Sequence, residues 1–211
     1  MNQSETNLEN EPRRAPPPPP PVEKTEPKEN FFREILRFSI IALLIVLPVR
    51  VFIAQPFIVS GASMEPTFEN GEYLIIDELS YRFEPPKRGE VVIFRYPKDP
   101  SKFFIKRIIG LPDETVELRG SKVIIHNQEL PGGFTIEEPY LPTNVKREDY
   151  LTTTLRDNEY FVLGDNRGAS SDSRIWGTLP AENITGRAIV RLLPITRISV
   201  FPGDATNATA L

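Results

Sequence analysis

From Gly71 onward the apolar positions come in short alternating runs separated by turn residues; before that point they do not alternate at all. Residues Met1 to Asn30 hold almost no apolar side chains and contain the proline run Pro16 to Pro21. Such a segment cannot bury enough surface to offset the entropy of ordering, so a disordered tail over 1–30 with a stiff polyproline stretch is expected. Phe38 to Val49 follows without a charge. As a helix that run reaches only about 18 Å, short of a ~30 Å hydrocarbon core, whereas continuing to Val59 gives ~33 Å. The continuation adds only Arg50 as a charge, and Pro48 and Pro56 are expected to kink or end the helix. The pattern therefore predicts a single membrane anchor over 31–59 that meets the lipid bilayer.

Two rival readings of that run are weaker. A cleavable secretory leader would suit the short apolar core, and Ser60-Gly61-Ala62 has small-x-small spacing, but the long proline-rich segment in front is a poor leader start. A buried soluble helix would have no partner helix elsewhere in the chain. Lys24, Lys28, Arg33 and Arg37 precede the run, and no Lys or Arg lies between Val51 and Tyr81. This asymmetry predicts a cytosolic tail and a folded domain across the membrane.

The alternating part predicts strands at Glu72 to Asp77, Glu90 to Tyr96, Phe103 to Ile109, Glu114 to Leu118, Lys122 to His126, Glu159 to Leu163, Arg187 to Leu193 and Ile195 to Phe201. Pro85-Pro86, Pro97, Pro112, Pro131-Gly132-Gly133, Pro142 and Pro194 punctuate them. The expected domain, 60–203, is mostly β, made of coiled antiparallel sheets, with 204–211 a short flexible tail. Pro131 to Leu155 lacks a pattern and reads as an insertion. Composition narrows the chemistry: among 211 residues there are no cysteines and one histidine, which leaves no thiol nucleophile and argues against a zinc hydrolase. A net charge of -4 gives no reason to expect nucleic-acid binding.

Ser63 stands in Ser60-Gly61-Ala62-Ser63-Met64-Glu65-Pro66-Thr67-Phe68, where glycine and proline force a turn. Alone, such a serine reads as turn chemistry. A nucleophilic serine needs a base, and the one histidine, His126, falls at a hairpin tip where a Ser-His-Asp triad would be hard to build. A lysine is the other candidate. In Phe103-Phe104-Ile105-Lys106-Arg107-Ile108-Ile109 strand alternation puts Phe104, Lys106 and Ile108 on one face. Apolar neighbours would desolvate the ammonium and lower its pKa toward neutrality, although a lysine snorkelling from a half-buried strand is the plainer reading. A third stretch, Gly164 to Gly177, is a dense polar loop after an apolar strand.

Taken together and in this order, Ser60 to Phe68, Lys106 to Pro112 and Gly164 to Gly177 resemble the motif set of type I signal peptidases, membrane-bound proteases with a Ser/Lys dyad. The resemblance runs from about Phe38 to Phe201 and is similar in fold to the self-cleaving repressor class, which cuts at an Ala-Gly pair this chain lacks. It implies that Ser63 is the nucleophile and Lys106 the general base, with no metal or cofactor. It also implies that Ser170 holds the lysine amine, that Asp172 and Arg174 form an ion pair behind the site, and that Asp165 and Asn166 mark the same loop. Many members carry a serine two places before the nucleophile to bind the oxyanion; here it is Gly61, which leaves the Ser63 N–H as the surest donor. Substrate contacts are implied at Phe57, Val59, Ser60, Met64, Leu74, Ile93, Phe104 and Ile105. The implied partners are signal peptides of secretory preproteins, cut after a small-x-small motif by a monomeric catalytic unit near the translocation machinery. A catalytically silent, membrane-tethered binding module is the alternative from another class.

Overall fold

The computed structural model describes residues 31–52, 54–142 and 148–205; the expected tail 1–30 and most of the expected C-terminal tail, 206–211, lie outside the described residues. The chain divides into two compact units, Met1–Ala42 and Leu43–Leu211. Helix α1, Phe31–Phe52, begins in the first. Among the described residues no helix is long and apolar enough to cross a membrane.

The expected span through Val59 stops short. Ala54–Ile58 is strand β1, paired antiparallel with β2, Tyr73–Asp77, so that Phe57 lies opposite Leu74. Pro56 has no N–H to donate, which suits an edge strand better than a helix, and β1 is the end strand of its sheet. Phe57 packs on a core cluster that includes Val59, Leu74 and Ile93. Burial in that core competes with any lipid-facing role for these side chains.

The remaining strands are β3 (Val91–Tyr96), β4 (Asp99–Gly110), β5 (Thr115–Gly120), β6 (Lys122–His126), β7 (Phe134–Thr135), β8 (Asp149–Thr154), β9 (Glu159–Leu163), β10 (Leu179–Pro180), β11 (Ile184–Leu193) and β12 (Ser199–Val200). The larger sheet has the order β1-β2-β11-β3-β4-β9-β10, with β12 beside β11; the smaller has β7-β6-β5-β8. Every pairing is antiparallel. The mostly β, antiparallel expectation holds.

Two segments depart from the sequence pattern. The supposed insertion contributes β8, whose Leu151 faces Leu118 of β5; its threonines alternate half-buried and exposed, so the strand carries almost no apolar signal. The expected strand Ile195 to Phe201 is a 3₁₀ turn at Ile195–Arg197 followed by the two residues of β12.

Alternation in the central strands sorts side chains into separate clusters. Val91, Ile93 and Ile105 join one, while Val92, Phe94 and Ile108 join another. The pairs Ile93–Ile105 and Val92–Lys106 fix the register between β3 and β4, and with it the face on which Lys106 stands.

Candidate active site

The turn after β1 is fastened on several sides. Gly71 N–H donates to Val59 O at 2.8 Å and Phe68 N–H to Met64 O at 2.9 Å. Met64 and Phe68 are buried in the core, which pins the turn directly after Ser63, itself half-buried. From β11 Arg191 donates to Thr67 O at 2.8 Å, and Arg197 donates to Pro66 O at 3.3 Å. Gly61 has φ +91° and donates its N–H to Asn70 Oδ1 at 2.8 Å. Only glycine enters that region without strain, which gives a backbone reason for the missing oxyanion serine. The Ser63 N–H has no acceptor among the described residues.

Lys106 comes to this turn from β4. Its Nζ lies 2.8 Å from Ser63 Oγ and donates to Ile105 O at 2.8 Å. The Phe104 ring centroid is 5.3 Å away, as the shared strand face required, and the residue is only 4 % exposed. Burial drives the ammonium pKa down to about 8, against a smaller upward pull from Asp172 and Asp165. A lysine so placed is neutral for a useful fraction of the time near neutral pH, and its lone pair can take the Ser63 proton.

Ser170 does not bond the amine. Its buried hydroxyl has no hydrogen-bond partner among the described residues, and it lies against Gly164, where an added Cβ would overlap both Ser170 Oγ and the Ser63 carbonyl oxygen. Glycine is needed at 164 because two segments meet there. The loop is joined to the Ser63 turn by its backbone: Asn166 N–H donates to Ser63 O at 3.0 Å.

Asp172 and Arg174 form the expected ion pair in two-pronged geometry, at 2.8 and 2.9 Å. Asp172 is fully buried, also accepts from Gly164 N at 3.1 Å, and caps α2, Ser173–Trp176. Arg174 reaches Asp149 Oδ2 at 3.0 Å and Arg167 O at 2.7 Å, tying the loop to β8.

Asp165 has a partner that sequence reasoning missed. Arg107, next to Lys106 and on the opposite strand face, bonds it at 2.9 and 2.6 Å with both side chains fully buried. Thr67 Oγ1 donates to the same carboxylate at 2.5 Å, and the Tyr140 ring covers the guanidinium at 3.8 Å. The signal was present: an arginine inside a buried strand must find an anion. Asp165→Ala strands that guanidinium without its anion, so urea unfolding is expected to show a loss of about 3–5 kcal/mol. A loss under about 1 kcal/mol would mean the Gly89 and Gly203 carbonyls, which Arg107 also bonds, suffice for it.

Beside Ser63 and Lys106 opens a cavity of about 450 Å³ whose walls include Phe57, Ser60, Ala62, Phe104, Ile105 and Ala169. Phe57 and Phe103 meet edge to face with ring centroids 6.4 Å apart. Four expected substrate contacts, Val59, Met64, Leu74 and Ile93, do not reach the wall. They are buried in the core cluster with Ile105; Leu74 and Ile93, directly opposite Phe57 and Ile105 on neighbouring strands, share the sheet face of those wall residues. Lys102 and Ser171 line the cavity unanticipated. His126 is remote in role, bonded to Glu117 and to the Pro131 carbonyl, both at 3.1 Å. Among the described residues no three His, Cys, Asp or Glu side chains converge as metal ligands.

Comparison with known proteins gives one consistent family. A family model described as "Signal peptidase, peptidase S26" matches residues 32–193. "Probable signal peptidase I-2" of Synechocystis sp. is 36% identical over 188 residues, covering 86% of this chain and 83% of that protein. Signal peptidase I of Leptolyngbya laminosa is 37% identical over 168 residues, covering 75% of this chain and 78% of its own length. A signal peptidase I crystal structure from Enterococcus faecalis V583 covers 49% of this chain and 97% of that chain, at 30% identity and a TM-score of 0.42.

Proposed function

Because the chain belongs to the signal peptidase family, peptidase S26, we propose that it is a serine endopeptidase that removes signal peptides from secretory preproteins with Ser63 and Lys106. The observation that carries this reading is the 2.8 Å contact between Lys106 Nζ and Ser63 Oγ beside a cavity with small residues in its wall.

The chemistry follows from the geometry. Neutral Lys106 accepts the hydroxyl proton as Ser63 Oγ bonds to the scissile carbonyl carbon. The Ser63 N–H, with no acceptor among the described residues, serves the developing oxyanion. As the C–N bond breaks, Lys106 returns the proton to the leaving amine, and an acyl ester on Ser63 remains. Water then attacks the ester carbonyl carbon while Lys106 takes its proton; as the C–Oγ bond breaks, Lys106 returns that proton to Ser63 Oγ, and the peptide leaves with a new carboxylate. Ser170, Asp165, Asn166, Asp172 and Arg174 keep the loop against the nucleophile turn. Substrate lies extended along the wall formed by Phe57, Ser60, Phe104 and Ile105, and Ala62 and Ala169 leave room for small side chains only. Val59, Met64, Leu74 and Ile93 back that wall.

Membrane attachment belongs to the same reading. Helix α1 contacts the lipid bilayer, Arg33 and Arg37 with the basic residues before them stay cytosolic, and residues 60–203 work on the far side. The test of the function is direct. Purified chain with a preprotein is expected to produce one new N-terminus, located by mass spectrometry, with small residues at the first and third positions before the cut. Replacing either small residue by Phe should abolish that product. Cleavage indifferent to these positions would remove the proposed substrate class.

A further inference from the structure

A second cavity, of about 250 Å³, is lined by Glu65, Pro66, Pro142, Asp165, Asn166 and Arg167. The same two segments line both cavities. The nucleophile turn contributes Ser60 to Ser63 to the first cavity and Glu65 and Pro66 to the second. The polar loop contributes Ala169 and Ser171 to the first, and Asp165 to Arg167 to the second. The bond from Asn166 N–H to Ser63 O, 3.0 Å, marks where the two segments touch.

Three charged residues line this second space, and two are committed elsewhere. Asp165 is neutralised by Arg107, and Arg167 is buried and paired with Glu138. Glu65 has no hydrogen bond or ion pair from its carboxylate among the described residues, and it is half-buried. A carboxylate left unpaired beside a neutralised wall makes the cavity net negative.

We propose that this cavity receives the first residues after the scissile bond, and that Glu65 makes the enzyme prefer a basic over an acidic side chain there. The inference rests on the proposed endopeptidase reading. A chain entering along the Phe57 side must pass Ser63 and leave beyond it, where Glu65 is the uncommitted charge. A partly exposed pair of this kind favours a cation modestly and repels an anion by a similar amount, so the two effects add when lysine and aspartate are compared.

The experiment uses the full chain in phospholipid micelles and three preproteins that differ only in the first two residues after the cut, carrying Lys, Ala or Asp. The kcat/KM ratio of the Lys to the Asp substrate is expected to be about fivefold or more for the native enzyme, on the order of two exposed ion-pair effects. It should fall to near one in Glu65→Gln and invert in Glu65→Lys. A native enzyme that cleaves none of the three overturns the proposed function and this inference with it. Equal cleavage of all three, or a bias that survives in Glu65→Gln, overturns this inference alone.

Discussion

Ser63→Ala is expected to reduce preprotein cleavage by at least ~10⁴-fold, because the proposed acyl ester forms on its hydroxyl, while the folded domain persists. Ser63 is half-buried, and among the described residues the one side chain that its hydroxyl bonds is Lys106. Losing that single contact should shift unfolding free energy by no more than about 1 kcal/mol. Both readouts matter. A variant that stays folded and retains native activity removes Ser63 as the nucleophile, whereas one that unfolds says nothing about chemistry and is distinguished by its thermal melt. The same variant separates a protease from a silent binding module, which would bind preprotein and never cleave it in either form. Substrate trapped uncleaved on the alanine variant is the expected companion result.

The second large effect is at Lys106. Single-turnover acylation is expected to rise about tenfold per pH unit below pH 8 and to level off above it, since only the neutral amine accepts the proton and its pKa lies at about 8. Lys106→Arg keeps a positive charge but cannot deprotonate, so activity should fall by roughly 10³-fold or more. An arginine variant with near-native rates, or a profile still rising beyond pH 10, would reduce Lys106 to an electrostatic part. Stability rises with pH as well, over a higher window. Below pH 8 the proton is bound in both states, and the cost of burying the ammonium at 4 % exposure is fully present. Between pH 8 and the unfolded value of about 10.4 only the unfolded chain holds the proton, so stability climbs with pH through that window. Lys106→Met removes the cost and should stabilise the domain by about 1–3 kcal/mol at pH 7, with the gain shrinking above pH 8. A lysine buried at this position therefore costs the fold stability.

The environment of Lys106 was legible because strand alternation is a local property: three consecutive same-face positions, Phe104, Lys106 and Ile108, already say that the amine lies among apolar atoms. The turn at Ser63 was legible for the same reason, since Gly61 and Pro66 restrict backbone angles within a few residues of themselves. Local rules also set most of the strands, where apolar residues repeat every second position. They failed at β8, whose half-buried face includes Asp149 and Thr153 and so hides the period, and at Ile195–Arg197, where an apolar run curls instead of pairing.

By itself the sequence determined the turn at Ser63, the strand face on which Lys106 stands and the mostly β class, because each depends on the residue and its immediate neighbours. Only the tertiary structure decided which distant groups meet. The 2.8 Å approach of Lys106 to Ser63 joins segments 43 residues apart. The partner of Arg107 is a carboxylate 58 residues away. Ala54–Ile58 could have continued an apolar helix, and it became an edge strand because β2 offered hydrogen bonds and a core for Phe57. Val59, Met64, Leu74 and Ile93, implied as substrate contacts, are buried in the cluster with Ile105, and how deep each side chain lies is set by the segments packed around it. Propensity and period act over a few residues; pairing and burial are contests between segments of the whole chain, and a single sequence does not display their winners.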